Sequence, residues 1–338
     1  MTRPQHETTR ELNRRQMLRT AFGASAVGAV ALAGTAFAAE RPAKLRPAKL
    51  AQPAPGPARL KGRIKHSVVP WCFEPYWKLD ELCQIAKKLG CVSVELAQPD
   101  QWPTLKKHGL QCAIAPSHLF VQGMNNPRYQ AGCIEMLRQR IDQSVDFGCP
   151  TVITFTGYAE DTGEWNKGEN PDLAKLPPNL PAIAPDEGLK NCVAGFKKII
   201  GYAEQKKINL AIEILNTRVS DHPMKGHTGY QGNHVDYCME IVKQVGSPRL
   251  GVLFDIYHVQ IMDGDVIRHA RQCGEAIKHV HTAGNPGRNE LDQTQEINFR
   301  PIMKALVELG YQGYVGHEFI PTRDPLKGLA EAIQACDV

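Results

Sequence analysis

From His66 onward, short β-rich segments alternate with longer segments of helical periodicity. This alternation constrains the fold most, because strands separated by helices pair in parallel within one sheet. Eight segments have the character of strands: 67–69, 91–96, 111–115, 151–156, 209–215, 250–255, 277–282 and 314–318. A count of eight favours a closed (β/α)8 TIM barrel, an α/β fold in a single domain, over an open doubly wound sheet.

The same pattern predicts helices between these strands, for example over residues 79–89, 129–147, 188–205, 235–245 and 299–309. Gly90, Gly148 and Gly310 lie just past predicted helix ends, where a left-handed capping residue is expected. The longest connection runs from residue 157 to 185 and contains five prolines after Glu169. A connection of this length after a strand is typical of a lid or a binding loop.

The first residues of the chain have the composition of an export signal. Arg14 and Arg15 precede an apolar run over residues 21–39 that is rich in Ala and Gly and closes on the small-residue sequence Ala-Phe-Ala. This order resembles a twin-arginine signal peptide over residues 1–38, and it predicts export to the periplasm with no stable membrane span after cleavage. An uncleaved membrane anchor is the alternative, since the apolar run approaches spanning length.

Residues 39–65 lie between this signal and the predicted barrel, and their composition differs from that of both. They are rich in Pro, Ala and Lys, and the sequence Arg-Pro-Ala-Lys-Leu occurs at 41–45 and again at 46–50. Because closely spaced prolines discourage both helix and sheet, we expect an extended linker. The barrel itself is predicted over residues 66–338.

The formal net charge of +5 belongs to the amino-terminal part of the chain. Residues 66–338 contain 27 basic and 32 acidic residues, a net charge of −5. A body with this balance is a poor candidate for binding a phosphate backbone, so no nucleic-acid partner is expected. The ten cysteines include no C-x-x-C pair, which argues against a zinc ribbon and favours buried free thiols, with one or two disulfides as the alternative in an oxidising compartment.

Metal-competent side chains end four consecutive predicted strands, from the fifth to the eighth. Period-two alternation places Glu213, Asp255 and His281 on the inner face of the barrel and Glu318 at its mouth. Active sites of such barrels form at the carboxyl ends of the strands. One strand-end acid is often only an ion-pair partner or a helix cap, but four such residues on adjacent strands predict a site for one divalent cation. Three oxygen ligands and one nitrogen favour Mn²⁺ or Mg²⁺, with Co²⁺ as a further option.

The stretches around these residues resemble the xylose isomerase-like barrel superfamily, and within it the hydroxypyruvate isomerases. The resembling stretches are 213–218, 254–264, 279–288, 296–299 and 310–318. The resemblance is strong from about residue 208 to 323 and weaker over 66–207. It implies a metal-dependent isomerase of a small hydroxy-keto acid or sugar that works through an enediolate, most like the conversion of hydroxypyruvate to tartronate semialdehyde.

The resemblance also implies roles for individual residues. The metal ligands would be Glu213, Asp255, His281 and Glu318. Glu213 and Glu318 would in addition serve as acid and base. His258 would contact a substrate oxygen, and Arg288 would hold the charged or hydroxylated end of the substrate. One position departs from the pattern, because His281 stands where hydroxypyruvate isomerases carry Gln and related ketose 3-epimerases carry His.

Other residues near predicted strand ends are candidates for the pocket. Glu95 ends the second predicted strand facing the mouth, and we expect it to bind substrate or support the site. His317 points outward in the alternation and is expected to be structural. Further candidates for the pocket wall are His118, Lys225, His227, Trp71, Phe73 and Trp77. For these six residues, ordinary packing or solvation is at least as compatible with the sequence.

Three other functions are compatible with parts of this pattern. A ketose or sugar 3-epimerase uses the same proton chemistry, and His281 favours it. An endonuclease IV-like phosphodiesterase shares the barrel but needs more metal ligands and a basic face. A non-catalytic sugar-binding barrel would not require two glutamates for proton transfer. For the isomerase and the epimerase the partner is a small-molecule substrate, and a homo-oligomer is compatible with the sequence.

Overall fold

The computed structural model describes residues 60–159, 182–219, 221 and 226–338. The predicted signal peptide, residues 39–59 of the predicted linker and Lys225 lie outside these residues, as does most of the predicted long connection. Within the described ranges, no helix has both the length and the apolar character that a membrane span needs.

In the described part of the chain, seven parallel strands form the sheet of a TIM-barrel fold. They are β1 (Lys65–Val68), β2 (Ser93–Val94), β3 (Thr151–Thr154), β4 (Asn209–Glu213), β5 (Leu250–Asp255), β6 (Ile277–Thr282) and β7 (Tyr314–His317). Their order is β2-β1-β7-β6-β5-β4-β3, so β4 to β7 are consecutive neighbours. The carboxyl ends of these four strands therefore meet at one edge of the sheet.

The prediction of a third strand over 111–115 is wrong, although this segment still joins the two edges of the sheet. Gln111 forms a parallel bridge to Ser93 of β2, and Ala115 forms one to Val152 of β3. Between these bridges the amide of Ala113 donates to the Ser93 hydroxyl at 2.9 Å instead of to a strand carbonyl. The side chain thus interrupts the ladder, and two isolated bridges take the place of an eighth strand.

Eleven helices occur in the described ranges. They are α1 (Pro70–Phe73), α2 (Leu79–Lys88), α3 (Trp102–Lys107), α4 (Pro127–Phe147), α5 (Pro185–Lys197), α6 (Ile200–Lys206), α7 (Val235–Val245), α8 (Ile256–Met262), α9 (Val266–Cys273), α10 (Phe299–Glu308) and α11 (Pro325–Cys336). The single helix predicted over 188–205 is two helices, because the amides of Lys198 and Ile199 bond to carbonyls three residues back and tighten the turn. Gly148 ends α4 with a φ of 90°, as its predicted capping role requires.

Two apolar clusters show which way the strand side chains point. Leu210 and Ile212 of β4 belong to the large cluster that includes residues of the surrounding helices. Ala211 of β4 and Leu253 of β5 belong to a separate, smaller cluster. The period-two alternation predicted for these strands is therefore confirmed, and it places Glu213 on the inner side with Ala211. All ten cysteines are described, and each is buried with a free thiol.

Candidate metal and active site

Four neighbouring strands bring the predicted ligands together. Glu213 is the last residue of β4, Asp255 is the last of β5, His281 lies in β6 and Glu318 follows β7. One ligand atom from each residue lies within 4.8 Å of the others, and all four side chains are buried. Nδ1 of His281 is 3.0 Å from Oε2 of Glu318, 3.5 Å from Oε1 of Glu213 and 3.8 Å from Oδ2 of Asp255. We call these four residues the quartet.

The start of α8 fixes the orientation of Asp255. Its Oδ1 accepts hydrogen bonds from the backbone amides of Tyr257 at 2.9 Å and His258 at 3.2 Å. Oδ1 therefore caps the helix, and Oδ2 faces His281. The two interpretations of a strand-end acid, helix cap and metal ligand, are compatible here because each uses a different oxygen.

Glu318 is held by a cation and an indole. Nη2 of Arg288 donates to Oε2 at 2.6 Å, and Nε1 of Trp71 donates to Oε1 at 2.9 Å. The guanidinium lies against two aromatic rings, 5.3 Å from the centroid of Trp71 and 5.4 Å from that of Tyr257. The structure therefore places Arg288 on a quartet carboxylate, and its predicted contact with substrate stays a prediction.

The electrostatics of the quartet are those of a crowded anionic cluster. Burial raises the pKa of Asp255 to about 7, and burial together with repulsion from Glu318 raises the pKa of Glu213. Burial alone would also raise the pKa of Glu318, but Arg288 and His281 outweigh it and hold that pKa well below its usual range. Three carboxylates this close and this buried favour a bound cation, since together they repel one another when ionised.

The donor set fits a divalent metal. Burial alone would lower the pKa of His281, but Glu318, Glu213 and Glu95 raise it well above its ordinary value. Nε2 of His281 is bonded to Glu95, while Nδ1 faces the quartet without a well-formed hydrogen bond. A histidine whose outer nitrogen donates to a carboxylate presents its other nitrogen to a metal in many sites. The quartet residues could accordingly hold one cation such as Mn²⁺ or Mg²⁺.

Glu95 lies on the side of His281 that faces away from the quartet. It is fully buried, and its Oε1 accepts from Nε2 of His281 at 2.7 Å and from Nε2 of His279 at 2.8 Å. Burial alone would raise its pKa, but these two histidines lower the pKa of Glu95 to about 2. Both imidazoles contact Oε1, so Glu95 supports the site through His281. The expected contact of Glu95 with substrate stays a prediction.

The carboxylate of Glu95 lies against Gly316 of β7, at a position where only glycine leaves enough space. A Cβ placed on Gly316 of β7 would lie 2.2 Å from Oε1 and 2.7 Å from Cδ of Glu95. Real Cβ contacts are longer than 3.0 Å, so any other residue at position 316 would displace the carboxylate. The glycine in the last strand thus makes room for the group that bonds to His281.

His258 is fully buried beside the quartet. Its Nε2 is 3.7 Å from Oδ2 of Asp255 and has no hydrogen-bond partner among the described residues. Its Nδ1 is 2.7 Å from the amide nitrogen of Asn216. Burial, Arg288 and His227 lower the pKa of His258 well below its ordinary value, so the ring is neutral near pH 7. Sequence reasoning did not single out Asn216, although it lies three residues after Glu213 in a stretch that carries the family resemblance.

The other predicted pocket residues are divided between the site and the core. Of the three aromatic residues, Trp71 reaches Glu318, whereas Phe73 stacks on Trp77 at 5.4 Å between ring centroids. His227 lies 6.0 Å from the ring of His258. His118 bonds elsewhere, to the hydroxyl of Thr154 at 2.8 Å. His317, which was expected to be structural, lies 3.2 Å from Nδ1 of His66.

Comparison with known proteins agrees with this geometry. A family model described as "Xylose isomerase-like TIM barrel" matches residues 83–337. A Mus musculus protein named "Putative hydroxypyruvate isomerase" is 27% identical over 278 residues, which cover 78% of this chain and 91% of that protein. A 2-oxo-tetronate isomerase of Haemophilus influenzae is 36% identical over 262 residues, covering 73% of this chain and 89% of that protein.

Solved structures share the fold at lower sequence identity. A D-psicose 3-epimerase solved in the presence of D-fructose superposes with a TM-score of 0.57 at 17% identity. The match covers 80% of this chain and 90% of that one. At this level of identity the likeness establishes the barrel alone.

Proposed function

Because this chain belongs to the xylose isomerase-like TIM-barrel family, we propose that it isomerises a short hydroxy-carbonyl compound of the hydroxypyruvate type. The convergence of Glu213, Asp255, His281 and Glu318 at the ends of four adjacent strands is the observation that supports this most. The curated relatives are named as isomerases of small oxo acids, which agrees with the same chemistry.

The reaction moves one proton between neighbouring carbons. One carboxylate takes the proton from the hydroxyl-bearing carbon, the electron pair of that C–H bond forms the enediolate, and an acid returns a proton to the former carbonyl carbon. The hydroxyl proton passes to the former carbonyl oxygen, so the carbonyl group and the hydroxyl group exchange places. Glu213 and Glu318 are the two groups proposed for these steps. They come from β4 and the end of β7, so Asp255 and His281 lie on the two strands between them. Which glutamate acts first depends on the stereochemistry of the substrate.

The surroundings of the two glutamates differ in a way that suits separate roles. Arg288 and Trp71 hold both oxygens of Glu318, whereas the carboxylate of Glu213 pairs, among the described residues, with His281 at 3.5 Å. Two carboxyl groups with different environments can be kept in different protonation states near neutral pH. A divalent cation held by the quartet would stabilise the negative charge that develops on the substrate oxygens.

A sugar 3-epimerase is the second candidate. His281 favours it, since related epimerases resemble this chain at that position, and the D-psicose 3-epimerase shares the barrel. Both reactions begin with the same proton removal. They differ in the product: an isomerase moves the carbonyl group, whereas an epimerase keeps it and inverts the neighbouring carbon.

Deuterium exchange tests the proposal whatever the product is. The purified protein with Mn²⁺ is incubated in D₂O with hydroxypyruvate, 2-oxo-tetronate and a panel of short ketoses, and incorporation is read by mass spectrometry. We expect deuterium in one class of compound, with chromatography separating isomerised from epimerised products. No incorporation into any member of the panel would contradict the proposed function.

Substitution of the two glutamates tests the assigned residues. Glu213→Gln and Glu318→Gln should each lower turnover at least about 100-fold, since positioned acid–base groups contribute about 10²- to 10⁴-fold. Glu204→Gln is the matched control, because Glu204 is an exposed residue of α6 that bonds to Ser247. Full turnover in a folded Glu213 or Glu318 variant would show that the proton-transfer roles are wrong.

Export through a twin-arginine signal is part of the same proposal, and Arg14 and Arg15 support it. Such export moves folded proteins, which suits an enzyme that binds its metal before leaving the cytoplasm. Cell fractionation of a bacterial host should recover the protein from the periplasm, and a variant with Lys at both arginines should stay in the cytoplasm. Equal distribution of the two forms would contradict export by this route.

A further inference from the structure

We propose that Asn216 is a positioning residue that fixes the tautomer of His258, so that His258 presents Nε2–H to the substrate. This inference rests on the proposed function for its catalytic consequence. The tautomer itself follows from the hydrogen bonds of Asn216, which do not depend on any substrate.

The backbone decides which end of the Asn216 amide faces His258. Oδ1 accepts hydrogen bonds from the amides of Val219 at 2.9 Å and Arg218 at 3.2 Å. Backbone amides only donate, so the atom they contact must be the oxygen of the side chain. The amide nitrogen is therefore the atom that lies 2.7 Å from Nδ1 of His258.

The amide nitrogen in turn decides where His258 carries its proton. An NH₂ group donates and cannot accept, so Nδ1 of His258 must be the unprotonated nitrogen. In a neutral imidazole the single proton then lies on Nε2. Asn216 is itself fully buried, so water does not compete for this bond. The backbone amides thus orient the Asn216 side chain, and the Asn216 amide group in turn leaves the proton of His258 on Nε2.

The Nε2–H group lacks an acceptor where the substrate is expected. Nε2 is buried, has no hydrogen-bond partner in the part of the chain that the structure describes, and lies 3.7 Å from the quartet oxygen of Asp255. A buried donor without a partner is costly, and an oxygen of a hydroxy-carbonyl substrate would satisfy it. The same bond would stabilise an oxygen that gains negative charge during proton removal. The opposite tautomer would direct a lone pair towards both that oxygen and the Asp255 carboxylate.

NMR of ¹⁵N-histidine-labelled protein measures the tautomer directly. Long-range ¹H–¹⁵N spectra distinguish protonated from unprotonated ring nitrogens, and comparison with His258→Gln assigns the signal. We expect the proton on Nε2 in the native chain. In Asn216→Asp the carboxylate keeps the contacts of Oδ1 but accepts from His258, so the proton should move to Nδ1. A native proton on Nδ1, or no change in the Asp variant, would overturn the inference.

Kinetics measure the consequence for the reaction. Exchange of Asp for Asn beside a catalytic histidine gives the wrong tautomer and costs about 10⁴-fold in kcat in serine proteases. We expect kcat of Asn216→Asp to fall about 10²- to 10⁴-fold with KM and the Kd for Mn²⁺ little changed. Asn191→Asp is the control, since Asn191 donates to the carbonyl of Asn125 elsewhere in the barrel. An unchanged kcat in Asn216→Asp would refute the positioning role.

The two measurements separate this inference from the proposed function. If no compound turns over, the function fails, but the NMR result still tests the bond from Asn216 to His258. If turnover is found and the tautomer is as expected, an unchanged kcat in the Asp variant refutes only the role of Asn216.

Discussion

Replacing Glu95 by Gln would test whether the carboxylate behind His281 contributes to cation binding. The substitution keeps the size of the side chain and removes the negative charge that accepts from Nε2 of His281 and His279. A carboxylate in this position makes the imidazole a stronger metal ligand and fixes its orientation. We expect Glu95→Gln to weaken metal binding and to leave the barrel folded.

The expected magnitude follows from the geometry. Partners of metal-bound histidines contribute about 10- to 100-fold in metal affinity, which equals about 1.4 to 2.7 kcal/mol. Gly316→Ala reaches the same carboxylate by steric displacement. Its Cβ would lie 2.2 Å from Oε1, where more than 3.0 Å is needed, so Glu95 must shift by about 0.8 Å. That shift would break hydrogen bonds that are now 2.7 and 2.8 Å long.

The assay is a titration of metal-free protein with Mn²⁺ in competition with a chelator. Both variants should raise the Kd for Mn²⁺ about 10- to 100-fold, with one Mn²⁺ bound per chain at saturation. Asp337→Asn serves as the control, because Asp337 is another buried carboxylate and bonds to the amide of Lys61. A native Kd in folded Glu95→Gln, or two bound Mn²⁺ per native chain, would refute the reasoning.

Three further predictions concern pH, charge geometry and metal removal. Burial lowers the pKa of His118 from 6.5 to about 4, so the unfolded chain binds more protons between these values and stability is lost as pH falls through them. From pH 7 to pH 5 the unfolding free energy should fall by about 2 kcal/mol because of His118. Chemical denaturation at both pH values should show a smaller fall in His118→Gln, and an equal fall in both proteins would contradict the prediction. Arg288→Lys keeps the charge but not the ring contacts with Trp71 or the planar donor for Glu318, so kcat/KM should fall at least about tenfold; steady-state kinetics showing a native value would argue against this role. Removing metal with a chelator should lower the unfolding free energy by about 2.7 kcal/mol relative to a solution with metal at 100 times Kd, and calorimetry showing no shift would argue against a metal in the quartet.

The sequence predicts the strongly periodic elements well. The bounds predicted for β5, β6 and α7 match the structure residue for residue, because each has a clear apolar face or a buried run. The segment over 111–115 fails for a reason that no periodicity reveals, namely that the Ser93 hydroxyl takes an amide that would otherwise belong to a ladder. A side-chain hydrogen bond across two segments depends on their final positions in space.

The sequence predicts which residues form the metal site, but it does not predict how deep in the barrel each side chain lies. Inward alternation at strand ends was sufficient to predict that Glu213, Asp255, His281 and Glu318 would meet. Alternation also placed Glu95 inward, but it gave no measure of how far down the barrel the side chain would lie. Asn216 lies in irregular structure after β4, where no period applies. Its role depends on two backbone amides that follow it in the chain.

The bridged segment over 111–115 has a consequence for how the barrel opens. It joins β2 to β3 by two isolated bridges, each a single residue pair, whereas each ladder from β3 to β7 has three or four pairs. Local opening begins where the pairing is sparse, and this seam lies outside the run from β4 to β7. The barrel can therefore open locally at its seam while the four quartet side chains keep their mutual spacing.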